Sequence, residues 1–248
     1  MAALIPADYH PPSDLLAGRR ILITGAGDGL GRAAALACAA HGATVILLGR
    51  TVKKLESTYD AIEQAGGPTP AIYPLHLSGA SWKDYGDLAD TVEREFGGLD
   101  GLLHCAVHFK AFTPMTDVDP KDWIESLQVN LTAPFALTRH LLPLLDVAAD
   151  ASVVFVSDRH GRIAHAYDNV YGIAKAGIEQ MMKTWAAELE GKPQLRLNSF
   201  DPGPMRSGVR LRGYPGESIS QVQPPDAVVP RLLWLLGPES RGISGQSL

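Results

Sequence analysis

ILITGAGDGLGRAAALACAA, residues 21–40, is a short continuous apolar run that breaks into a glycine cluster and emerges as an alanine-rich helix. Gly25, Gly29 and Gly31 lack the Cβ atoms that would hold a backbone away from a ligand, and the free N–H groups at a helix start form a positive end. Residues 24–31, TGAGDGLG, with Asp28 and Leu30 inside the turn, therefore read as a cradle for a pyrophosphate. The reading depends on position: first strand, first helix, in a chain that repeats the alternation.

The repetition is plain on both sides of this stretch. Apolar runs at 44–49 (TVILLG), 71–77 (AIYPLHL), 101–107 (GLLHCAV), 151–157 (ASVVFVS) and 195–200 (LRLNSF) alternate with helix-like segments. That pattern predicts an α/β chain, a doubly wound parallel sheet with helices on both faces. Helices are expected at 30–41, 51–65 and 82–96, the last two stopped by Gly66-Gly67 and Gly97-Gly98. A longer one is expected over 121–145 behind Asp119-Pro120, bent or broken at Pro134 and Pro143, and another over 171–190 with Ile178, Met181, Met182 and Trp185 on one apolar stripe. No repeat or linker divides the chain, so one domain is expected over 1–248, with 1–14 as an N-terminal extension. Residues 202–225, rich in Gly, Pro and Ser, form a candidate substrate loop.

Composition narrows the partners. The 248 residues are 46% hydrophobic and 20% charged with a net charge of −5, which gives no electrostatic reason to expect nucleic acid or an anionic membrane. No leader pattern and no long apolar run is present, so a cytoplasmic location is expected. Two cysteines, Cys38 and Cys105, and eight histidines without ligand spacing imply neither a disulfide framework nor a metal.

Two further places suggest chemistry. The second strand ends in Gly49-Arg50 with no acid at 48–50; an acid there would bind ribose hydroxyls, whereas Arg50 suits a 2′-phosphate, so NADP is favoured over NAD. In FVSDRHGRIAHAYDNVYGIAK, residues 155–175, Tyr171 and Lys175 lie one helical turn apart and can face one ligand. An ammonium beside a phenol lowers its pKa from about 10 and makes it a usable acid and base. His160, His165 and Asp168 in the same stretch read as a solvated rim.

TGAGDGLG, Asn130 in QVNLTAPF, YGIAK and DPGPMRS, in that order, resemble the short-chain dehydrogenase/reductase family over nearly the whole chain. The resemblance implies a single Rossmann domain, three layers αβα, with about seven parallel strands, the last cut short at GISGQSL. It makes Tyr171 the general acid or base at a carbonyl or alcohol oxygen, Lys175 the group that lowers its pKa and binds the nicotinamide ribose, and Asn130 the holder of a relay water. It places Pro202, Gly203 and Met205 along the nicotinamide, with Ser207 for the usual threonine, and His76 and Leu77 at the adenine. It implies a homodimer or homotetramer built on the two long helices.

The chain departs from the family at the ligand. The family serine, thirteen residues before the tyrosine, is Asp158, in a register that Gly161 supports. An ionised aspartate only accepts hydrogen bonds and opposes the alkoxide charge that develops during hydride transfer. Three readings stay open: Asp158 is protonated and donates, Ser157 supplies the hydroxyl, or carbonyl reduction is slowed. The family Asn-Ala-Gly after the fourth strand is Cys105-Ala106-Val107, with a β-branched residue where backbone and cofactor should approach closely. The function expected is NADP-dependent hydride transfer between nicotinamide and a carbonyl or alcohol carbon of a small molecule. The alternative is a catalytically impaired dinucleotide-binding protein serving as sensor or assembly partner.

Overall fold

The computed structural model describes residues 5, 6 and 9–248. Part of the expected extension, residues 1–4, 7 and 8, lies outside the described residues. From Pro12 onward the chain is already packed: Leu16 is fully buried and its N–H donates to His41 O at 2.9 Å.

Six strands, β1 Arg20–Thr24, β2 Thr44–Gly49, β3 Ala71–Pro74, β4 Gly101–His104, β5 Ala151–Val156 and β6 Leu195–Phe200, form one sheet in the order β3-β2-β1-β4-β5-β6, all pairs parallel. Their apolar runs are continuous rather than alternating because most strand positions are covered on both faces. Two core clusters result, one containing Ile23, Leu47 and Phe200, the other Leu22, Leu48 and Phe155. Successive side chains of one strand thus feed opposite layers.

The helices are α1 Gly29–Ala40, α2 Val52–Gln64, α3 Trp82–Phe96, α4 Pro120–Leu127, α5 Ala133–Asp146, α6 Asn169–Glu188, α7 Gly208–Gly213 and α8 Val229–Leu236. Local chemistry sets their ends. Ser81 and Asp84 close a capping box at α3, and Gly97 ends it in the left-handed conformation. The apolar stripe of α6 faces inward: Ile178 and Met182 are core residues, with Met181 and Trp185 packed against them.

Two expectations are corrected. Among the described residues the strand count is six, because the C-terminal tail adds only a single parallel bridge, Ser199 to Ser247, beside β6. The long helix does not break at its prolines: Pro134 sits in the first turn of α5, where a missing N–H costs nothing, and α5 continues through Pro143. The interruption is one wide π turn, Gln128–Thr132, around the buried Asn130. Such a turn inserts one residue into the helix and re-aims the turns beyond it.

The order of the strands places the site. Connections run in opposite directions from β1 and β4, so a crevice opens at their C-terminal ends, at Thr24 and His104. The opposite edge is tied by charge. Asp150 accepts from Arg196 Nη1, from Arg19 Nη1 at 2.6 Å, and pairs with Arg241 Nε at 3.2 Å. Burial works against that carboxylate, and the hydrogen bonds from Arg196 and Arg19 outweigh it, holding its pKa below the usual value.

His104 ends β4 fully enclosed, its ring stacked on Phe155 at 4.8 Å and its Nε2 3.0 Å from Thr138 Oγ1. Burial lowers its pKa from 6.5 to about 3. The folded value lies below the unfolded one, so between them only the unfolded chain takes up this proton. Stability from this group is unchanged above about 6.5 and falls by about 1.4 kcal/mol for each pH unit below it. Urea unfolding at pH 7 and pH 5.5 should show a smaller loss for His104→Gln than for the wild type; equal losses would exclude His104 as the source.

Candidate active site

The crevice holds a cavity of about 780 Å³ that runs from the glycine turn past Tyr171 to the segment around α7. At one end Thr24 Oγ1 accepts the N–H groups of Cys105 and Ala106, both at 3.0 Å, pinning β4 to the start of the turn. Gly25 has φ 71° and its added Cβ would lie 3.0 Å from Ala106 Cα. At Gly31 the demand is harsher: a Cβ would meet Gly25 O at 2.3 Å. The turn therefore needs glycine at both positions. Asp28 caps α1 through Gly29 N at 2.8 Å.

Asp28 Oδ2 also pairs with Lys54 Nζ at 2.5 Å, and this holds the Asp28 carboxyl below its usual value. Lys54 lines the cavity with Arg50 and Thr51, so α2 supplies a second cation that was not foreseen. Its sequence signal was its place in the first turn of the helix that follows Arg50. His76 and Leu77 border the same end; Ser78 Oγ lies 3.3 Å from His76 Nδ1. Cys105, Ala106 and Val107 all line the cavity, and Val107 is 38% exposed, so the β-branched side chain stands in the open crevice rather than in the core. Pro202, Gly203 and Met205 form the opposite wall, with Gly203 at φ 68° and its N–H donating to Asp201 Oδ1 at 2.8 Å.

Tyr171 and Lys175 project from the first turns of α6, both at most 5% exposed. Lys175 Nζ donates to Val156 O at 2.7 Å and lies 5.7 Å from the centroid of the Tyr171 ring. Burial lowers the Lys175 pKa. The Tyr171 hydroxyl donates to Asp158 Oδ2 at 2.8 Å. Burial and then the Asp158 charge push its pKa well above the ordinary tyrosine value. This corrects the expected lowering by Lys175: the carboxylate is hydrogen-bonded to the phenol, whereas the ammonium is not.

Asn130 is not on the cavity wall. Its Nδ2 donates to His108 O at 2.8 Å and its Oδ1 accepts His108 N–H at 2.8 Å, so the π turn clamps the chain beyond β4. Ser157 lines the same cavity, but its buried hydroxyl has no hydrogen-bond partner among the described residues, while the nearby Glu179 carboxylate accepts from Ser199, Ser247 and Arg162. Neighbouring strand side chains point apart. Asp158, and not Ser157, is hydrogen-bonded to the Tyr171 hydroxyl.

Around Tyr171 stands an aromatic group that sequence reasoning missed. Phe109 packs edge-on to it at 5.0 Å, and Phe112 lies 4.9 Å from His160 and 5.6 Å from Tyr214. Nothing in the irregular run 105–119 announces this; it depends on Arg212 Nε donating to Phe109 O and on Asn169 Nδ2 donating to Ala111 O. His160 and Asp168 are not a solvated rim either, since their side chains are about a tenth exposed; only His165, at 46%, fits that description.

The match to known proteins agrees with this geometry. Residues 19–213 fit the family model described as short chain dehydrogenase. The chain belongs to the short-chain dehydrogenase family. Within it, the chain is 38% identical to the uncharacterized oxidoreductase YciK of Escherichia coli K12 over 96% of this chain and 94% of that one. It is similar to a structure described as a short chain dehydrogenase of Pseudomonas syringae at TM-score 0.95 and 46% identity, covering 97% and 98% of the two chains. It is also similar to one from Escherichia coli CFT073, described as complexed with NADPH, at TM-score 0.93 and 38% identity, covering 96% and 98%. Among the described residues no helix is long and apolar enough to cross a membrane.

Proposed function

We propose that the chain is an NADP-dependent oxidoreductase that moves a hydride between the nicotinamide and a carbonyl or alcohol carbon of a small molecule. The observation that carries this is the convergence, in one cavity, of the Tyr171 hydroxyl and the Lys175 ammonium with a glycine turn too tight for any side chain at Gly31. The turn, the α1 start, Arg50 before α2 and Lys54 on it fit a phosphorylated dinucleotide. Such a cofactor supplies the hydride. The protein's part is to hold it at Gly25, Gly29 and Gly31, to keep water from the reacting carbon with Phe109, Phe112 and Tyr214, and to move the oxygen's proton at Tyr171 Oη. With its phenol raised, Tyr171 is protonated at neutral pH and set to donate, which suits carbonyl reduction. The aromatic surround favours a substrate with a flat or apolar body beside its carbonyl.

Assembly as a homodimer or homotetramer is part of the proposal. Ile124 on α4, Phe135 on α5 and Ile173 on α6 are 66%, 37% and 45% exposed, and these are the helices through which the family pairs.

Arg50 and Lys54 together select the 2′-phosphate. Charge-assisted hydrogen bonds contribute about 1.5–3 kcal/mol each, so Arg50→Ala should weaken NADPH binding by about 10- to 100-fold and leave NADH binding unchanged. Titration of both by cofactor fluorescence checks this, followed by a panel of ketones and aldehydes. A wild type that binds NADPH yet reduces nothing, beside an Asp158→Ser variant that does, replaces enzyme by nucleotide-binding protein. The Tyr171 to Asp158 hydrogen bond, which occupies the catalytic proton, is the observation favouring that second reading.

A further inference from the structure

The segment between β5 and α6 is held in a conformation that its side chains resist. Tyr167, at φ 75°, and Asn169, at φ 44°, both adopt left-handed backbone, on either side of Asp168. Asparagine tolerates this; a tyrosine there is uncommon and marks a segment over-determined by its surroundings. What the strain positions is Asp168, 7% exposed. Its Oδ1 is 2.6 Å from His160 Nδ1, and its Oδ2 accepts His165 N–H at 2.7 Å. Gly172 makes room, for a Cβ there would lie 2.8 Å from Asp168 Cβ and 3.2 Å from His160 O.

A carboxylate only accepts, so His160 Nδ1 carries a proton and its Nε2 is the free end. That end faces the cavity, 3.2 Å from Tyr214 Oη and 3.8 Å from Asp158 Oδ1. Asp158 Oδ2 in turn is hydrogen-bonded to Tyr171 Oη. The groups facing His160 are therefore Asp158, Asp168, His165, Tyr171 and Tyr214, with Arg210 stacked behind Tyr214 at 3.7 Å. An acid oriented by burial and strain, an imidazole, a second acid and the catalytic phenol stand in line.

We propose that Asp168, His160 and Asp158 form a proton relay to Tyr171, so that the aspartate in the family's serine place acts with a histidine rather than alone. The inference rests on the oxidoreductase reading. In carbonyl reduction the hydride brings an electron pair to carbon, the C=O π pair moves onto oxygen, and oxygen takes the Tyr171 proton. Solvent beside Tyr214 protonates His160 Nε2, which passes that proton to Asp158 Oδ1. The carboxylic acid so formed turns its proton to the Tyr171 phenolate, so that Asp158 returns to the carboxylate and His160 to the neutral Nδ1–H form. The 3.8 Å step is one small side-chain rotation or one bridging water beyond a hydrogen bond. Alcohol oxidation runs the same path outward. Asp168 and His160 are positioning and relay residues; Tyr171 alone touches the substrate oxygen.

The test uses the full chain. His160→Gln should lower kcat by about 10²-fold, leave NADPH affinity unaltered and enlarge the solvent deuterium isotope effect on kcat. Imidazole added to His160→Ala should restore turnover, while pyrazole, of the same shape and hardly basic, should not. Without cofactor, the proton NMR spectrum should show a far-downfield His160 Nδ1–H resonance, perturbed by Asp158→Ser and lost in His160→Gln and Asp168→Asn. Wild-type kcat in His160→Gln, equal rescue by imidazole and pyrazole, or absence of that resonance would each overturn the relay while leaving the reductase reading intact. If His160→Ala does not fold, the glutamine variant and the resonance decide. A wild type that binds NADPH but transfers no hydride removes both.

Discussion

Tyr171→Phe is expected to cut turnover by about 10³-fold, within the range spanned by general acid and base catalysis, with NADPH affinity unchanged. The substitution removes one oxygen and little else: the ring keeps its edge contacts with Phe109 at 5.0 Å and Phe112 at 6.3 Å, and Lys175 keeps its bond to Val156 O. The effect should therefore fall on kcat rather than KM, since the proton transfer belongs to the transition state. An alkaline titration followed by tyrosinate absorbance supplies a second reading. Burial and Asp158 hold the Tyr171 phenol above its ordinary value, so the late-ionising part of the wild-type curve should shrink in the variant. Full activity in Tyr171→Phe would remove the tyrosine from the chemistry.

Gly31→Ala should be the most damaging single methyl in the molecule. Its Cβ would stand 2.3 Å from Gly25 O and 2.7 Å from Gly25 C, and both are backbone atoms with no rotamer to give way. The turn has to open, at a cost of about 1–3 kcal/mol in stability. The N–H groups proposed to hold the pyrophosphate move with it, and the loss of two such bonds should weaken NADPH binding by about 10²-fold or more. Gly29→Ala is the contrast: nothing lies within 4 Å of its added Cβ, and only its φ of 48° is strained. Thermal unfolding and calorimetric titration of the two variants separate crowding from backbone strain; equal behaviour would contradict the cradle.

What the sequence revealed, it revealed through short-range chemistry. Continuous apolar runs indicated the parallel sheet, Gly97-Gly98 the end of α3, and the glycine cluster the turn that lines one end of the crevice. Tyr171 and Lys175 share a cavity because a four-residue helical spacing allows little else. What stayed hidden depends on contacts far apart in sequence. Asn130 clamps His108, 22 residues away. Phe112 reaches the site because the segments at 109–113, 167–169 and 208–214 are stitched together. The direction of the Tyr171 shift comes from burial and then from the Asp158 charge, neither of which the spacing to Lys175 could show. His160 looked like a rim residue because polarity was visible and burial was not.

The anchoring of Asp150 by Arg19, Arg196 and Arg241 has a meaning beyond its own edge of the sheet. The fastening of the strand ends sits at one pole and the chemistry at the other, with the length of the strands between them. Sites so separated respond to substitution almost independently. The crevice can therefore accept unusual residues, an aspartate for a serine or a valine for a glycine, without unfastening the sheet that carries them. A scaffold divided in this way leaves its catalytic pole free to drift toward new substrates while its opposite pole stays fixed.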